Sequence, residues 1–400
     1  MKKMRAGVIG LGRRGTNLTN HIVAELDKVE ITALCDSYED RVDAAEELIR
    51  NRAAAKVLKT TDAMEVIKSD NVDILFIFAA WEAHMPLTIA AMKAGKPVAV
   101  EVGGAYSVEQ CWDLVKTYEE TKTPVYLLEN CCFGKRELMI LNMVQKGILG
   151  KIVHCDGGYC HELRDEILNG IKNRHYRLRN YINRNCENYP THELGPIAQI
   201  LKINRGNKFL TLSSVASKAE GLKAYVKEHM SDDEMLMNTD FAQGDVVTTV
   251  IKCAGGETIR LSLDTTLPRF YSRDFTVRGT KGMYEERSDS IFLDGNETHA
   301  QRKEEWKKEW GNAENYRKDY EHPIWQKYIE DGIKVDSHDG MDWLVINDFV
   351  NCIAENRPCT IDVYDMASWM SITPLSEQSI AMGGRPVAIP DFTNGAWTRR

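Results

Sequence analysis

The chain has 400 residues, 43% of them apolar and 28% charged, with a formal charge of −8. That is the balance of a soluble globular protein large enough for two domains. The charge argues against nucleic-acid binding, and no apolar run approaches the roughly 20 residues needed to cross a bilayer.

The opening MKKMRAGVIGLG has the basic start of a signal peptide. Its apolar run is short, however, and leads into glycines rather than a small-residue cleavage site, so it reads as a first strand in a cytoplasmic protein. Ten cysteines include no C-x-x-C pair and no metal-ligand spacing, which predicts reduced thiols and no metal.

RAGVIG predicts a strand ending in glycines, and RRGTNLTNHIVAEL a helix. VEITALCD and EDRVDAAEELIRN repeat the strand–helix pair. NVDILFIFAA is a fully apolar strand, HMPLTIAAMKAG a helix, KPVAVEV a strand, SVEQCWDLVKTYEETK a helix and PVYLLEN a last strand. This alternation predicts βαβ units, hence a doubly wound parallel sheet covered on both faces, over residues 1–130.

The rhythm then changes. FGKRELMILNMVQKGILG predicts a helix stopped by glycine, and KIVHCDGGYCHE a strand. A polar, arginine-rich segment from Asn169 to Asn188 precedes the helical THELGPIAQILKI. FLTLSSVASK, GDVVTTVIKCA, ETIRLSLDTTL, RDFTVRGTKG and GMYEERSDSIFLDG then alternate with a strand's period. They predict an open, mainly antiparallel sheet in an α+β domain over 131–400. The charged, aromatic stretch 301–325 reads as a solvated insertion. GMDWLVINDFVNCIAEN and YDMASWMSITPLSEQSIAMGG read as two closing helical stretches.

The first chemistry is in GLGRRG. Gly10 permits the tight turn after the strand, Gly12 lets the backbone approach a pyrophosphate, and Gly15 lets helix and strand pack closely. The amides of the helix start hold phosphate charge, and Arg14 lies in the same loop. Asp36 ends the second strand 21 residues after Gly15. A carboxylate there accepts the ribose hydroxyls and repels a 2′-phosphate, so the predicted cofactor is NAD. Trp81, Glu82 and His84 follow the apolar strand at the sheet's carboxyl edge, where ligands meet such sheets. Glu101, Val102 and Asn130 follow later strands and complete the expected cofactor shell.

AAWEAHMPLTIAAMKAGKPVAVEV resembles the Gfo/Idh/MocA oxidoreductases, which carry a glutamate-lysine-proline turn after AGK. Here Glu101 matches, while Val102 and Gly103 replace lysine and proline. That lysine is expected to assist hydroxyl oxidation in the ordinary dehydrogenases. WEAH, LLENCCFG, YRLR, NYPTHELGPIAQ, DTTLPRFYSR, YEHPIW and PLSEQSIA are similar to glycoside hydrolase family 109, the NAD-dependent α-N-acetylgalactosaminidase-like branch. The likeness spans nearly the whole chain. The branch has glutamate-valine-proline at the turn, so Gly103 departs from it.

The resemblance implies a glycosidase acting on N-acetylhexosaminides by oxidation at sugar C3, deprotonation at C2, elimination at C1, water addition and re-reduction. It assigns sugar contacts to Tyr159, Arg177, Tyr189, Thr191, His192 and Tyr271. His192 suits acid–base duty, since an imidazole can both take and give a proton. Tyr159 is the expected C2 base, helped by a nearby cation, and Tyr271 holds the substrate or assists the leaving group. The alternatives are an NAD-dependent sugar or cyclitol dehydrogenase, which Val102 opposes, and a cofactor-binding regulator without turnover. A small carbohydrate is the expected partner, and by analogy a homo-oligomer the expected assembly. The sugar's C4 configuration, the anomer and the 2-substituent stay open.

Overall fold

The computed structural model describes residues 3–296, 306–334 and 337–400. Part of the stretch read as an insertion, 301–305, lies outside the described residues. The chain divides into two units, 1–133 with 334–367, and 134–333 with 368–400.

In the first unit the elements run β1 (Met4–Ile9), α1 (Arg13–His21), β2 (Val29–Cys35), α2 (Glu39–Ile49), β3 (Leu58–Thr60), α3 (Ala63–Lys68), β4 (Ile74–Ile77), α4 (Trp81–Lys93), β5 (Val98–Val100), α5 (Val108–Thr121) and β6 (Val125–Leu127). The strands pair in parallel in the order β3-β2-β1-β4-β5-β6. β4, β5 and β6 are buried along their whole length, as helices on both faces require. The strand order reverses between β1 and β4, and such sheets bind ligands beyond the carboxyl ends at that point. β3 and α3 have no counterpart in the sequence reading, because LKT is too short and too polar to show a period.

The helix Met341–Ala354 was read as part of the second block but belongs to the first unit. Its Phe349 ring meets Phe76 of β4 at 5.5 Å and Tyr126 of β6 at 5.8 Å, both edge-on. The Tyr126 hydroxyl donates to Asp348 at 2.6 Å. A buried tyrosine needs such a partner, and this one ties the helix to the sheet.

The second unit holds α6 (Lys135–Gln145), β7 (Ile152–Cys160), α7 (Arg164–Leu168), α8 (Arg177–Asn183), α9 (Thr191–Ile200), β8 (Phe209–Ala216), β9 (Val246–Cys253), β10 (Thr258–Asp264), β11 (Thr276–Gly279), β12 (Gly282–Glu285), β13 (Ser290–Leu293) and β14 (Val387–Ala388). They form one sheet in the order β13-β12-β11-β7-β10-β9-β8-β14. Only β7 and β10 pair in parallel among these neighbours, and the rest are antiparallel. Along β9, Val247, Thr249, Ile251 and Cys253 are buried while Val250 and Lys252 are exposed, the alternation of a sheet packed on one face. GMYEERSDSIFLDG is a hairpin, β12 and β13, rather than one strand, with Asp289 in the left-handed region at its turn. The stretch 364–384 is two helices, Val363–Met370 and Ile372–Ala381. Among the described residues no helix is long and apolar enough to cross a membrane.

Candidate active site

In the first unit the β1–α1 turn is built for close backbone approach. Gly10 sits at φ +99°, and a Cβ there would stand 2.5 Å from the Phe78 backbone. A Cβ on Gly15 would collide with the Gly10 carbonyl, so strand and helix meet only because both lack side chains. In front of Gly12 the nearest group is the Arg41 guanidinium, 3.6 Å from a notional Cβ. Gly12 caps α1 without any side-chain bond to its amides. Asp36 accepts from the Leu11 N–H at 2.7 Å and the Tyr38 N–H at 3.1 Å, with Arg41 at 3.7 Å. This open, uncapped glycine turn with a carboxylate beside it fits a dinucleotide.

Arg14 and Asn130 converge on Asp342, a residue the sequence reading missed, and Arg14 also reaches Glu101. Asp342 is fully buried and accepts from both Arg14 terminal nitrogens, at 2.6 and 2.7 Å. It also accepts from Asn130 Nδ2 at 2.8 Å and Ser337 Oγ at 2.5 Å, with His338 Nδ1 at 2.7 Å. Arg14 Nε donates to Glu101 at 3.2 Å. Burial acts to raise the Asp342 pKa, but these donors win and hold it well below the usual carboxylate range.

Val102 is 3% exposed, so the lysine position is an apolar, buried one. Gly103 follows at φ +156°, and a Cβ there would stand 2.5 Å from the Trp81 ring. The departure from proline therefore has a local cause: Trp81 lies on the glycine. Glu82 is in the same first turn of α4. His84 is buried, bonds the Ala79 carbonyl through Nε2 at 2.9 Å, and is pushed down by burial to about 4, so it is neutral at physiological pH. Glu129, also fully buried, accepts from the Cys131 N–H at 3.0 Å.

In the second unit the structure gathers the residues expected to meet sugar. Tyr159 ends β7, and its ring lies 4.3 Å from Tyr189 and 5.6 Å from His192. Tyr189 and His192 are 4.8 Å apart, edge-on. Arg177, at the start of α8, is 5.2 Å from the Tyr189 ring and 6.0 Å from the Tyr159 ring, and pairs with Glu166 at 2.9 Å. Thr191 Oγ1 and Asn188 Oδ1 are buried and meet no hydrogen-bond partner among the described residues, as expected where a polar ligand completes the set.

Tyr271 is half-exposed and joins the group through His161, 5.2 Å from it and 6.0 Å from Tyr159. His161 was not singled out in the sequence. Its signal was parity, since it lies two residues beyond Tyr159 and strands repeat every two. Burial lowers its pKa. Burial also pushes the Tyr159 phenol up to about 12, with Arg177 acting in the opposite direction. Phenol, imidazole and guanidinium side by side can exchange protons and hold oxygen atoms.

The glycine turn and parallel sheet of the first unit, followed by a mixed, mainly antiparallel sheet, define a protein of the Gfo/Idh/MocA oxidoreductase fold. Residues 4–128 match the family described as "Oxidoreductase family, NAD-binding Rossmann fold". Residues 133–399 match "Glycosyl hydrolase 109, C-terminal domain". The chain belongs to glycosyl hydrolase family 109. It is 35% identical to a glycosyl hydrolase family 109 protein of Parabacteroides distasonis, over 100% of this chain and 88% of that one. It is also 35% identical to an alpha-N-acetylgalactosaminidase of Tannerella forsythia, over 99% and 87%. Among solved structures it is similar in fold to a levoglucosan dehydrogenase in complex with NADH and L-sorbose, with a TM-score of 0.69, 14% identity, and 98% and 100% of the two chains covered. A myo-inositol 2-dehydrogenase from Lactobacillus plantarum gives a TM-score of 0.67 at 16% identity, over 97% and 100%. The chain is an NAD-dependent glycosidase, and the simple dehydrogenase is the less supported reading.

Proposed function

We propose that this enzyme cleaves glycosides of 2-acetamido sugars, α-N-acetylgalactosaminides first, and that the Tyr159–Arg177–Tyr189–His192 cluster does the proton chemistry. The observation that carries the reading is this cluster in a family member whose lysine position is held by buried Val102. Bound NAD supplies a hydride acceptor for sugar C3 and returns the hydride at the end of the cycle. Gly10, Gly12, Gly15, Asp36, Trp81, Glu82, His84, Glu101, Val102 and Asn130 would form its shell, with Arg14 anchored beside it.

His192 takes the proton of the C3 hydroxyl as that carbon becomes a ketone. The ketone acidifies the C2–H bond, because the carbanion formed there delocalises as an enolate. Tyr159, beside the Arg177 charge, takes the C2 proton. The C1–O bond then breaks, and the aglycone oxygen leaves with a proton from Tyr271 or water. Water adds to C1, a proton returns to C2, and His192 gives its proton back to the C3 oxygen as the ketone is reduced to the hydroxyl. Arg177 and Thr191 hold sugar or acetamido oxygens throughout. No pair of carboxylates flanking the glycosidic bond is required, which ordinary glycosidases need.

The test is release of nitrophenol from the 4-nitrophenyl α- and β-2-acetamido-2-deoxyhexosides in D₂O. The expected product carries deuterium at C2, with no lasting NADH absorbance. Release without deuterium at C2 contradicts the route, and NADH accumulating from free sugar supports a dehydrogenase instead. Exposed Val215 and Val250 on neighbouring strands support a homo-oligomer formed through the open sheet face. Ten free cysteines, nine of them buried, support work in the reducing cytoplasm.

A further inference from the structure

The Tyr271 segment is fastened to the end of β7 by contacts that the reaction above leaves unused. β7 and β11 run antiparallel with Thr276 opposite Asp156. Before β11 begins, the same register appears as a single bridge, Ser272 opposite Cys160. There the Ser272 N–H donates to the Cys160 carbonyl at 3.0 Å, and the Cys160 N–H to the Ser272 carbonyl at 3.1 Å. This register puts Tyr271 opposite His161. Facing residues of an antiparallel pair share one side, which accounts for the contact between the two rings.

Between the bridge and β11 the ladder breaks. Asp274 stands in the left-handed region at φ +49°. The Gly158 N–H donates to the Arg273 carbonyl at 2.5 Å, one residue away from its partner by register. A non-glycine residue holds such a backbone only where its surroundings over-determine it, and here they do. The Asp274 carboxylate accepts from Arg287 Nε and Nη2, both at 2.8 Å. The Glu286 carboxylate spans the kink, accepting from the Arg273 N–H at 3.0 Å and the Phe275 N–H at 2.9 Å. A Cβ on Gly158 would stand 3.2 Å from Asp274 Cβ, so the bare β7 backbone makes room for the kink. The Arg273 side chain turns inward, and its Nη2 meets Glu137 at 2.5 Å, a buried carboxylate in the first turn of α6. On the other side of the tip, Arg269 Nη1 donates to Asp264 at 2.5 Å. Phe270 and Tyr271 are thus an exposed tip between two anchors.

We propose that Arg273, held by Glu137, is a positioning residue: it fixes the kinked segment so that the Tyr271 hydroxyl meets the glycosidic oxygen as the C1–O bond breaks. The proposal rests on the reading of Tyr271 as the donor to the departing aglycone. Tyr271 gives its phenolic proton to the oxygen that keeps the C1–O electron pair, and recovers one from the water that adds to C1. A buried ion pair gains little stability over apolar side chains of similar volume, but it fixes where its partners lie. Tyr159 has a second hold, since it pairs with Leu263 of β10 in the parallel ladder and the next residue but one, His161, donates its N–H to Asp264. Loss of the Arg273 anchor therefore acts on the leaving step and spares removal of the C2 proton. A basic leaving oxygen needs a donor and a nitrophenolate does not, so the effect grows with the pKa of the aglycone.

The experiment compares NAD-loaded wild type, the double variant Arg273→Met with Glu137→Leu, Arg273→Lys and Tyr271→Phe on the 4-nitrophenyl and methyl α-2-acetamidogalactosides. It reads kcat and KM for each glycoside, the thermal midpoint, and deuterium entering C2 of uncleaved methyl glycoside in D₂O. The double variant leaves no uncompensated charge, so it is expected to keep a thermal midpoint near that of wild type. It and Tyr271→Phe are expected to lose about a hundredfold more kcat on the methyl than on the nitrophenyl glycoside, with deuterium entry per cleavage rising in step. Arg273→Lys keeps the charge without the reach. It is expected to show the same bias at about tenfold, and it decides the question alone if the double variant does not fold. A common factor on both glycosides and on deuterium entry, or no effect on any of them, overturns the proposal. Tyr271→Phe tells two failures apart. If it alone shows the bias, the anchor fails; if it shows none, or wild type cleaves neither glycoside, the reading of the reaction fails and takes the proposal with it.

Discussion

At Tyr159, burial and Arg177 pull in opposite directions, and burial is the larger effect. The phenol therefore keeps its proton at neutral pH, and the guanidinium is what brings the phenolate within reach. Arg177→Met removes that charge while keeping much of the side chain's bulk. It is expected to slow solvent deuterium exchange at C2 by about a hundredfold and to move the alkaline optimum upward. Mass spectrometry of the sugar product in D₂O reads both. Exchange at the wild-type rate would remove Arg177 from the proton chemistry. That Tyr189 and His192 lie side by side was legible from the local YPTH motif, while Tyr159 was grouped with them by the family resemblance alone. His161 and Glu166 were not legible, since nothing in the sequence says which side chains of a strand end and a short helix will face each other.

The element that matters most to the cofactor side is the helix Met341–Ala354. Through Asp342 it fixes Arg14 after β1 and Asn130 after β6, so one buried carboxylate aligns two loops of the sheet's carboxyl edge. Asp342→Asn keeps the shape but gives Arg14 a weaker, uncharged partner. It is expected to weaken NAD binding by at least tenfold and cost about 1–3 kcal/mol of stability, read by NAD titration and urea unfolding. Asp342 is depressed in the folded state, so its contribution is complete above the unfolded value near 3.9 and is lost as pH falls below it. The variant should lack that acid slope. Unchanged NAD affinity would make Asp342 a purely structural residue. The helix was visible in the sequence as an apolar periodic run, but its unit was not. More than 300 residues separate Asp342 from Arg14, and the Phe76–Phe349 and Tyr126–Asp348 contacts that place it are long-range.

Across the whole molecule, the parallel sheet and the later mixed sheet followed from the switch between two rhythms of apolar residues. GLGRRG and Asp36 are close in sequence and carry their own geometry, so the dinucleotide site was readable. The three-residue β3 was not, because so short and polar a strand has no period to read, and the turn that divides β12 from β13 was hidden within one alternating run. The account makes cleavage depend on a reaction at C3 that the protein's side chains cannot perform alone. It also predicts that NAD, by binding only the folded state, raises the thermal midpoint, by about 2.7 kcal/mol of stability at a hundred times its Kd. The most direct test is to strip the purified enzyme of its dinucleotide and follow nitrophenol release before and after adding NAD⁺. The account predicts no release from the stripped protein, full recovery on adding NAD⁺, and no net NADH. Equal cleavage by the stripped protein would contradict it.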